Sequence, residues 1–294
     1  MNLKGRRRFL AAAAALGVAA CAPIPVAPRR ESGFAEVNGT RLYYETAGSG
    51  EPVVLLHAFM LDGRMWDEQF DVLAAELRVI RYDARGFGRS ALPTPGEPYS
   101  HVDDLAALLA KLDARTPRLV GASMGGRFAL DYAVTHPGGV RSLAVIDTVV
   151  SGWQWSPEWL ASYAPIVAAG RRGDIPAAKQ LWLDHALFAP AREQPEVAAR
   201  LKLMVDEYSG WHLAHRNEER PVEPPTVQQL GRITIPTLVV IGGRDLSEFH
   251  RIAAHVEAGV ASGTRATIPA AGHFANMEAP EGVTGALREF LLGG

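Results

Sequence analysis

The sequence predicts an α/β fold: a mostly parallel sheet with helices on both faces and a helical cap inserted between strands. Three observations carry this. Short apolar runs alternate with helix-spaced segments over residues 33–150 and again over 232–294. Such alternation specifies a parallel sheet whose crossovers cover both faces. Between the two blocks, residues 151–231 hold helical stretches rich in Trp and Ala and no convincing strand. Third, Gly121-Ala122-Ser123-Met124-Gly125-Gly126 joins the apolar run Leu119-Val120 to the helix-spaced segment 127–133, a G-x-S-x-G turn between strand and helix.

Taken in order, residues 34–44 alternate around Asn38-Gly39, a two-residue hairpin signal. The run Pro52 to His57 is continuously apolar before its histidine, as a strand covered on both faces should be. Phe70, Leu73, Ala74 and Leu77 mark a helical face within 66–77, and residues 78–83 read as the next strand. Pro93, Pro95, Gly96 and Pro98 make a loop, and 102–112 is an amphipathic helix. After the elbow helix, 140–147 is another buried strand. In the middle block Pro157, Pro176, Pro190, Pro195 and Pro221 break the helices. Strand 235–241, helix 248–260, strand 265–269 and helix 282–292 complete the chain. The helical block would lie over the carboxyl ends of the strands, where open α/β sheets bind ligands.

The chemistry explains the spacing of the elbow. The turn must lift the serine Oγ out of the sheet, and small residues at Gly121 and Gly125 let strand and helix pack around it. Met124 then opens a helix, where its free N–H can face a developing oxyanion.

The 294 residues are long enough to bury a sizeable core, and 48% hydrophobic with 21% charged is ordinary globular composition. A net charge of −2 gives no reason to expect nucleic acid as a partner. Cys21 is the one cysteine, which excludes an intramolecular disulfide and a cysteine metal cluster.

Residues 1–21 read as an export signal. Lys4, Arg6, Arg7 and Arg8 precede the apolar run Phe9 to Ala20, too short to span a bilayer. Arg6-Arg7-Arg8-Phe9-Leu10 resembles a twin-arginine motif, with Gly5 where Ser or Thr is usual. Val18-Ala19-Ala20-Cys21 resembles a bacterial lipobox, in which Cys21 is lipidated and becomes the new N-terminus. Residues 22–32, with Pro23, Pro25 and Pro28, read as a tether. Loss of residues 1–20 leaves 26 Lys and Arg against 32 Asp and Glu, a net −6. Charge would not draw that surface to anionic lipid, so attachment rests on acyl chains. The expected location is the cell envelope, anchored to a membrane and facing the periplasm or the exterior.

From about residue 33 to 294 the chain resembles the α/β-hydrolase fold family with a helical cap. The likeness rests on His57-Ala58-Phe59, Asp83 to Ser90, the elbow, Gly242-Gly243-Arg244-Asp245 and Gly272-His273, which fall in the family's order. A serine hydroxyl is a poor nucleophile at neutral pH and needs a base, itself oriented by an acid. The resemblance implies Ser123 as nucleophile, His273 as base and Asp245 as acid; Asp147 is the alternative acid, since some members take theirs after the earlier strand. It implies oxyanion donors at the Phe59 and Met124 amides, although Ala58 stands where glycine is usual. His57 reads as a structural residue beneath that loop, and Asp83 to Ser90 as a shaped turn. Trp153, with Trp155 and Trp159, opens the cap; Trp153 is expected to contact substrate, and a packing stripe in the cap's own core is the alternative reading of the three. His212 and His215, spaced i, i+3, read as solvated or stacked rather than as metal ligands.

The expected activity is hydrolysis of a carboxylic ester or lactone with a mainly apolar acyl part, without cofactor or metal. The elbow also resembles those of cofactor-free haloperoxidases (perhydrolases) and of enol-lactonases. A lipid-anchored binding protein without catalysis is the alternative of another class.

Overall fold

The computed structural model describes residues 30–293; the signal, the lipobox cysteine Cys21 and most of the tether lie outside them. β1 (Arg30–Val37) and β2 (Thr40–Ala47) form the hairpin. Asn38 and Gly39 both take positive φ, 45° and 68°, as a two-residue primed turn demands. β1 starts inside the segment read as a tether: Arg30 pairs with Asp71 at 2.7 Å and covers the Phe70 ring.

β3 (Pro52–Leu56), α1 (Asp67–Ala74), β4 (Arg78–Tyr82), α2 (His101–Lys111), β5 (Arg118–Ala122), α3 (Met124–Thr135) and β6 (Ser142–Ile146) follow in alternation. Then come five helices with no strand among them: α4 (Pro157–Arg171), α5 (Ile175–Asp184), α6 (Ala189–Arg192), α7 (Pro195–Glu207) and α8 (Trp211–Ala214). β7 (Thr237–Gly242), α9 (Ser247–Gly259), β8 (Gly263–Ile268), α10 (Ala275–Glu278) and α11 (Pro280–Leu292) close the chain.

The eight strands form one sheet in the order β1-β2-β4-β3-β5-β6-β7-β8. The pairs β1–β2 and β2–β4 are antiparallel and the rest parallel. β5, β6 and β7 are buried along their whole length, which is why they read as unbroken apolar runs, whereas the edge strand β8 is half exposed.

Four of the five prolines expected to break helices in the middle block start them instead, while Pro221 lies outside any helix. Pro157, Pro176, Pro190 and Pro195 each occupy the first turn of α4, α5, α6 and α7. There the missing N–H has no helical partner to lose and the fixed φ suits the helix. Both roots of this insertion are tied to the helix behind the elbow: Ser151 and Thr226 each donate a hydroxyl hydrogen bond to the buried Asp131 of α3, at 2.7 and 2.5 Å.

Candidate active site

Ser123 stands between β5 and α3 with φ 49° and ψ −112°, a backbone conformation that L-residues rarely adopt. Its N–H still donates to Ile146 O at 2.9 Å, so the β5–β6 ladder runs into the turn. The flanking glycines are steric requirements. A Cβ on Gly121 would lie 2.3 Å from Gly125 O, and one on Gly125 would lie 2.2 Å from Leu56 O, at the end of β3.

His273, on the loop after β8, reaches back to the elbow. Its Nε2 is 3.0 Å from Ser123 Oγ and its Nδ1 is 2.9 Å from Asp245 Oδ2. A carboxylate oxygen accepts, so Nδ1 carries the proton and Nε2 is left to accept from the serine hydroxyl. Asp245 Oδ1 takes the Leu246 N–H at 2.7 Å, which fixes the carboxylate's orientation. Phe249 packs 4.2 Å from the imidazole centroid, and His273 is 3% exposed.

Asp147 does not touch the imidazole. It is fully buried at a positive φ of 46°, and its two oxygens accept from Gly242 N at 2.7 Å and Ala275 N at 3.3 Å. Burial, and then the charge of Asp245, push its carboxyl well above the ordinary range. Glu278 has a matching place, accepting from Gly272 N at 2.6 Å and Phe274 N at 3.0 Å. Burial raises its pKa too. Between them the two acids hold the amides at 272, 274 and 275, which surround His273. Sequence reasoning did not find Glu278; its one signal was a single acid inside the apolar stretch from Phe274 to Pro280.

His57 lies beneath the loop after β3, as expected of a structural residue. Ala84 N–H donates to its Nε2 at 2.9 Å, so its Nδ1 donates to Ala58 O at 2.8 Å. The Phe59 amide makes no hydrogen bond among the described residues, and Met124 opens α3, where the N–H has no helical acceptor. The left-handed position in the Phe59 loop is Met60, φ 60°, and not Ala58, so the alanine carries no backbone strain there. His212 and His215 stack on Phe87 and Trp211 at 4.5 and 4.9 Å.

Ser123 and Phe59 open into a cavity of about 350 Å³ that is lined mainly by rings, among them Trp155, Trp159, Trp182, Phe249 and Phe274. Trp153 is not among its lining residues, a correction to the expectation from sequence. Its indole N–H donates to the buried Glu248 Oε1 at 2.7 Å, at the start of α9. That bond turns the ring to a separate surface groove beside Gln154 and Val227. Trp182, Phe249 and Phe274 reach the cavity from α5, α9 and the His273 loop, and no local sequence signal brings such distant positions together.

A family model described as the alpha/beta hydrolase fold matches residues 51–280. The chain is 31% identical over 224 residues to non-heme chloroperoxidase CPO-A1 of Kitasatospora aureofaciens, covering 71% of this chain and 79% of that protein. A relative from Synechocystis sp. is 49% identical, but over 86 residues and 31% of its length. Among solved structures, the enol-lactonase from Burkholderia xenovorans LB400 superposes with TM-score 0.76 at 25% identity, covering 88% of this chain and 100% of that one. A thermophilic esterase from Thermogutta terrifontis gives 0.74 at 29% identity, covering 90% and 98%.

Proposed function

The chain belongs to the alpha/beta hydrolase fold family, and we propose that it is a serine hydrolase cleaving a carboxylic ester or lactone through an acyl-enzyme. One observation carries this: the hydrogen-bonded chain from Ser123 through His273 to Asp245 ends in an apolar cavity. Ser123 Oγ attacks the carbonyl carbon while His273 Nε2 takes its proton. Asp245 holds the imidazole in the reactive tautomer and stabilises the imidazolium. The Phe59 and Met124 amides receive the oxyanion, each worth a few kcal/mol in the transition state, roughly 10²-fold or more in rate. His273 returns the proton to the leaving alkoxide, then activates a water that releases the acid. No cofactor or metal enters these steps.

The test is a panel of aryl esters of rising acyl length and lactones. Wild type should turn over members with apolar acyl groups. Ser123→Ala should lower kcat by about 10⁴-fold or more with an unchanged circular dichroism spectrum. Residual turnover near the wild-type rate would remove Ser123 as nucleophile.

A second reading keeps these residues and changes the acceptor: peroxide in place of water gives a peracid that oxidises halide. The likeness to CPO-A1 favours testing it, by product analysis with peroxide and a short carboxylic acid. We propose further, from residues 1–21 alone, that the protein is exported and anchored to a membrane of the cell envelope through lipid on Cys21.

A further inference from the structure

The cavity beside Ser123 has two chemical properties that narrow what it can take. No Lys, Arg, His, Asp or Glu lines it. An acyl group bearing a carboxylate would leave its hydration behind and meet only rings and alkyl groups, which disfavours it strongly. The free polar groups of the wall, meanwhile, can all donate. The Tyr163 hydroxyl and the indole N–H groups of Trp155 and Trp159 have no hydrogen-bond partner among the described residues. None of these three atoms is fully buried, whereas the Trp182 Nε1 is.

Of these three, Tyr163 carries the hydroxyl, and its ring is held by its neighbours. Its ring stacks on Trp159 at 6.0 Å with an interplanar angle of 11°, and meets Trp182 edge-on at 5.9 Å. Burial pushes its pKa up to about 12, so it remains a neutral donor through the physiological range. A fixed, unpaired hydroxyl in a cavity whose other free polar groups are two indole N–H donors is how a site selects one polar atom of a ligand, because leaving a donor unmatched is costly.

We infer that the substrate is an uncharged ester or lactone whose apolar acyl part carries a hydrogen-bond acceptor, a carbonyl or ether oxygen, received by Tyr163. This rests on the hydrolase reading above and specifies its substrate class. It also distinguishes the chain from a hydrolase of dicarboxylate half-esters, which would need a cation in this wall.

The experiment compares wild type with Tyr163→Phe on a set of aryl esters of one acyl length. One ester has a plain chain, several carry a ketone walked along it, and one ends in a carboxylate. Taking the ratio of the two enzymes for each substrate cancels intrinsic reactivity. At one or more ketone positions the loss of kcat/KM on Tyr163→Phe should exceed the loss for the plain chain by about tenfold. The carboxylate ester should react at least about 10²-fold worse than the plain chain with both enzymes. Equal ratios at every ketone position would overturn the role of Tyr163, and ready cleavage of the carboxylate ester would overturn the charge exclusion. The corresponding amides, which resist turnover, are titrated calorimetrically into Ser123→Ala and into Ser123→Ala/Tyr163→Phe. If wild type cleaves no ester, the hydrolase reading fails; tyrosine-dependent affinity for the keto ligand then still supports the inference, and its absence refutes it.

Discussion

At the scale of single residues, two aspartates compete on paper for the place behind His273, and geometry separates them. Asp245 has a carboxylate oxygen on the imidazole, whereas both Asp147 oxygens are committed to backbone amides. Asp245→Asn should lower kcat by about 10³- to 10⁴-fold, because an amide in that place favours the wrong imidazole tautomer. Asp147→Asn should leave kcat within a few-fold. Asparagine tolerates the positive φ, and burial already disfavours the charged form. The lost acceptor should appear as stability, about 1–2 kcal/mol, read from urea denaturation. If Asp147→Asn abolishes turnover while Asp245→Asn is mild, the orienting acid is the earlier one.

At the scale of elements, the buried His101 and the half-buried His212 sit where helices meet their neighbours. His101 opens α2 with its ring 4.2 Å from Phe128 of α3. His212, on α8, packs against the turn at Gly86 and Phe87. Burial, with the positive charge of Arg127, brings their pKa values down to about 3 and about 4 against the opposing charge of Glu219. The ordinary histidine value is near 6.5. Below it the unfolded chain binds protons that the fold refuses, so this stability is complete above about pH 6.5. It is lost as pH falls toward 4 for His212 and 3 for His101, at up to about 1.4 kcal/mol per pH unit each. Carboxyls raised by burial, such as Asp131 and Asp147, act in the opposite sense, so the informative quantity is a difference between variants. His101→Phe keeps a ring against Phe128, and its urea midpoint should fall less than wild type's between pH 7 and 5. Parallel curves for the two proteins would show that His101 does not carry a folding-linked proton uptake.

At the scale of the whole molecule, the catalytic fold begins at Arg30, only nine positions after the cysteine read as lipidated. If Cys21 carries acyl chains, Cys21→Ser should move the protein from the membrane fraction to the soluble fraction nearly completely, since two acyl chains anchor stably where one is marginal. Turnover of soluble esters should be unchanged, because the hydrogen-bonded chain and the cavity wall lie entirely between Ala58 and Phe274. A wild-type protein found soluble, with an intact mass showing no lipid, would leave a cleavable signal alone.

What the sequence determined by itself was whatever depends on neighbouring residues. The alternating elements follow from periodicity, the hairpin from Asn38-Gly39, and the serine turn in part from Gly121, whose Cβ would strike Gly125 O four residues away. Pro157, Pro176, Pro190 and Pro195 read as breaks but open helices, because a proline's effect depends on its place in the helical turn, which periodicity does not resolve. Only the tertiary structure decided which carboxylate faces His273, which tryptophans reach the cavity and that Glu278 grips the histidine loop. Ser123 and His273 are 150 positions apart, and their meeting depends on how the β5 and β8 ends align in the sheet. Trp153 and Trp155 are two positions apart, yet a single hydrogen bond donated to Glu248 holds one of them at a different surface.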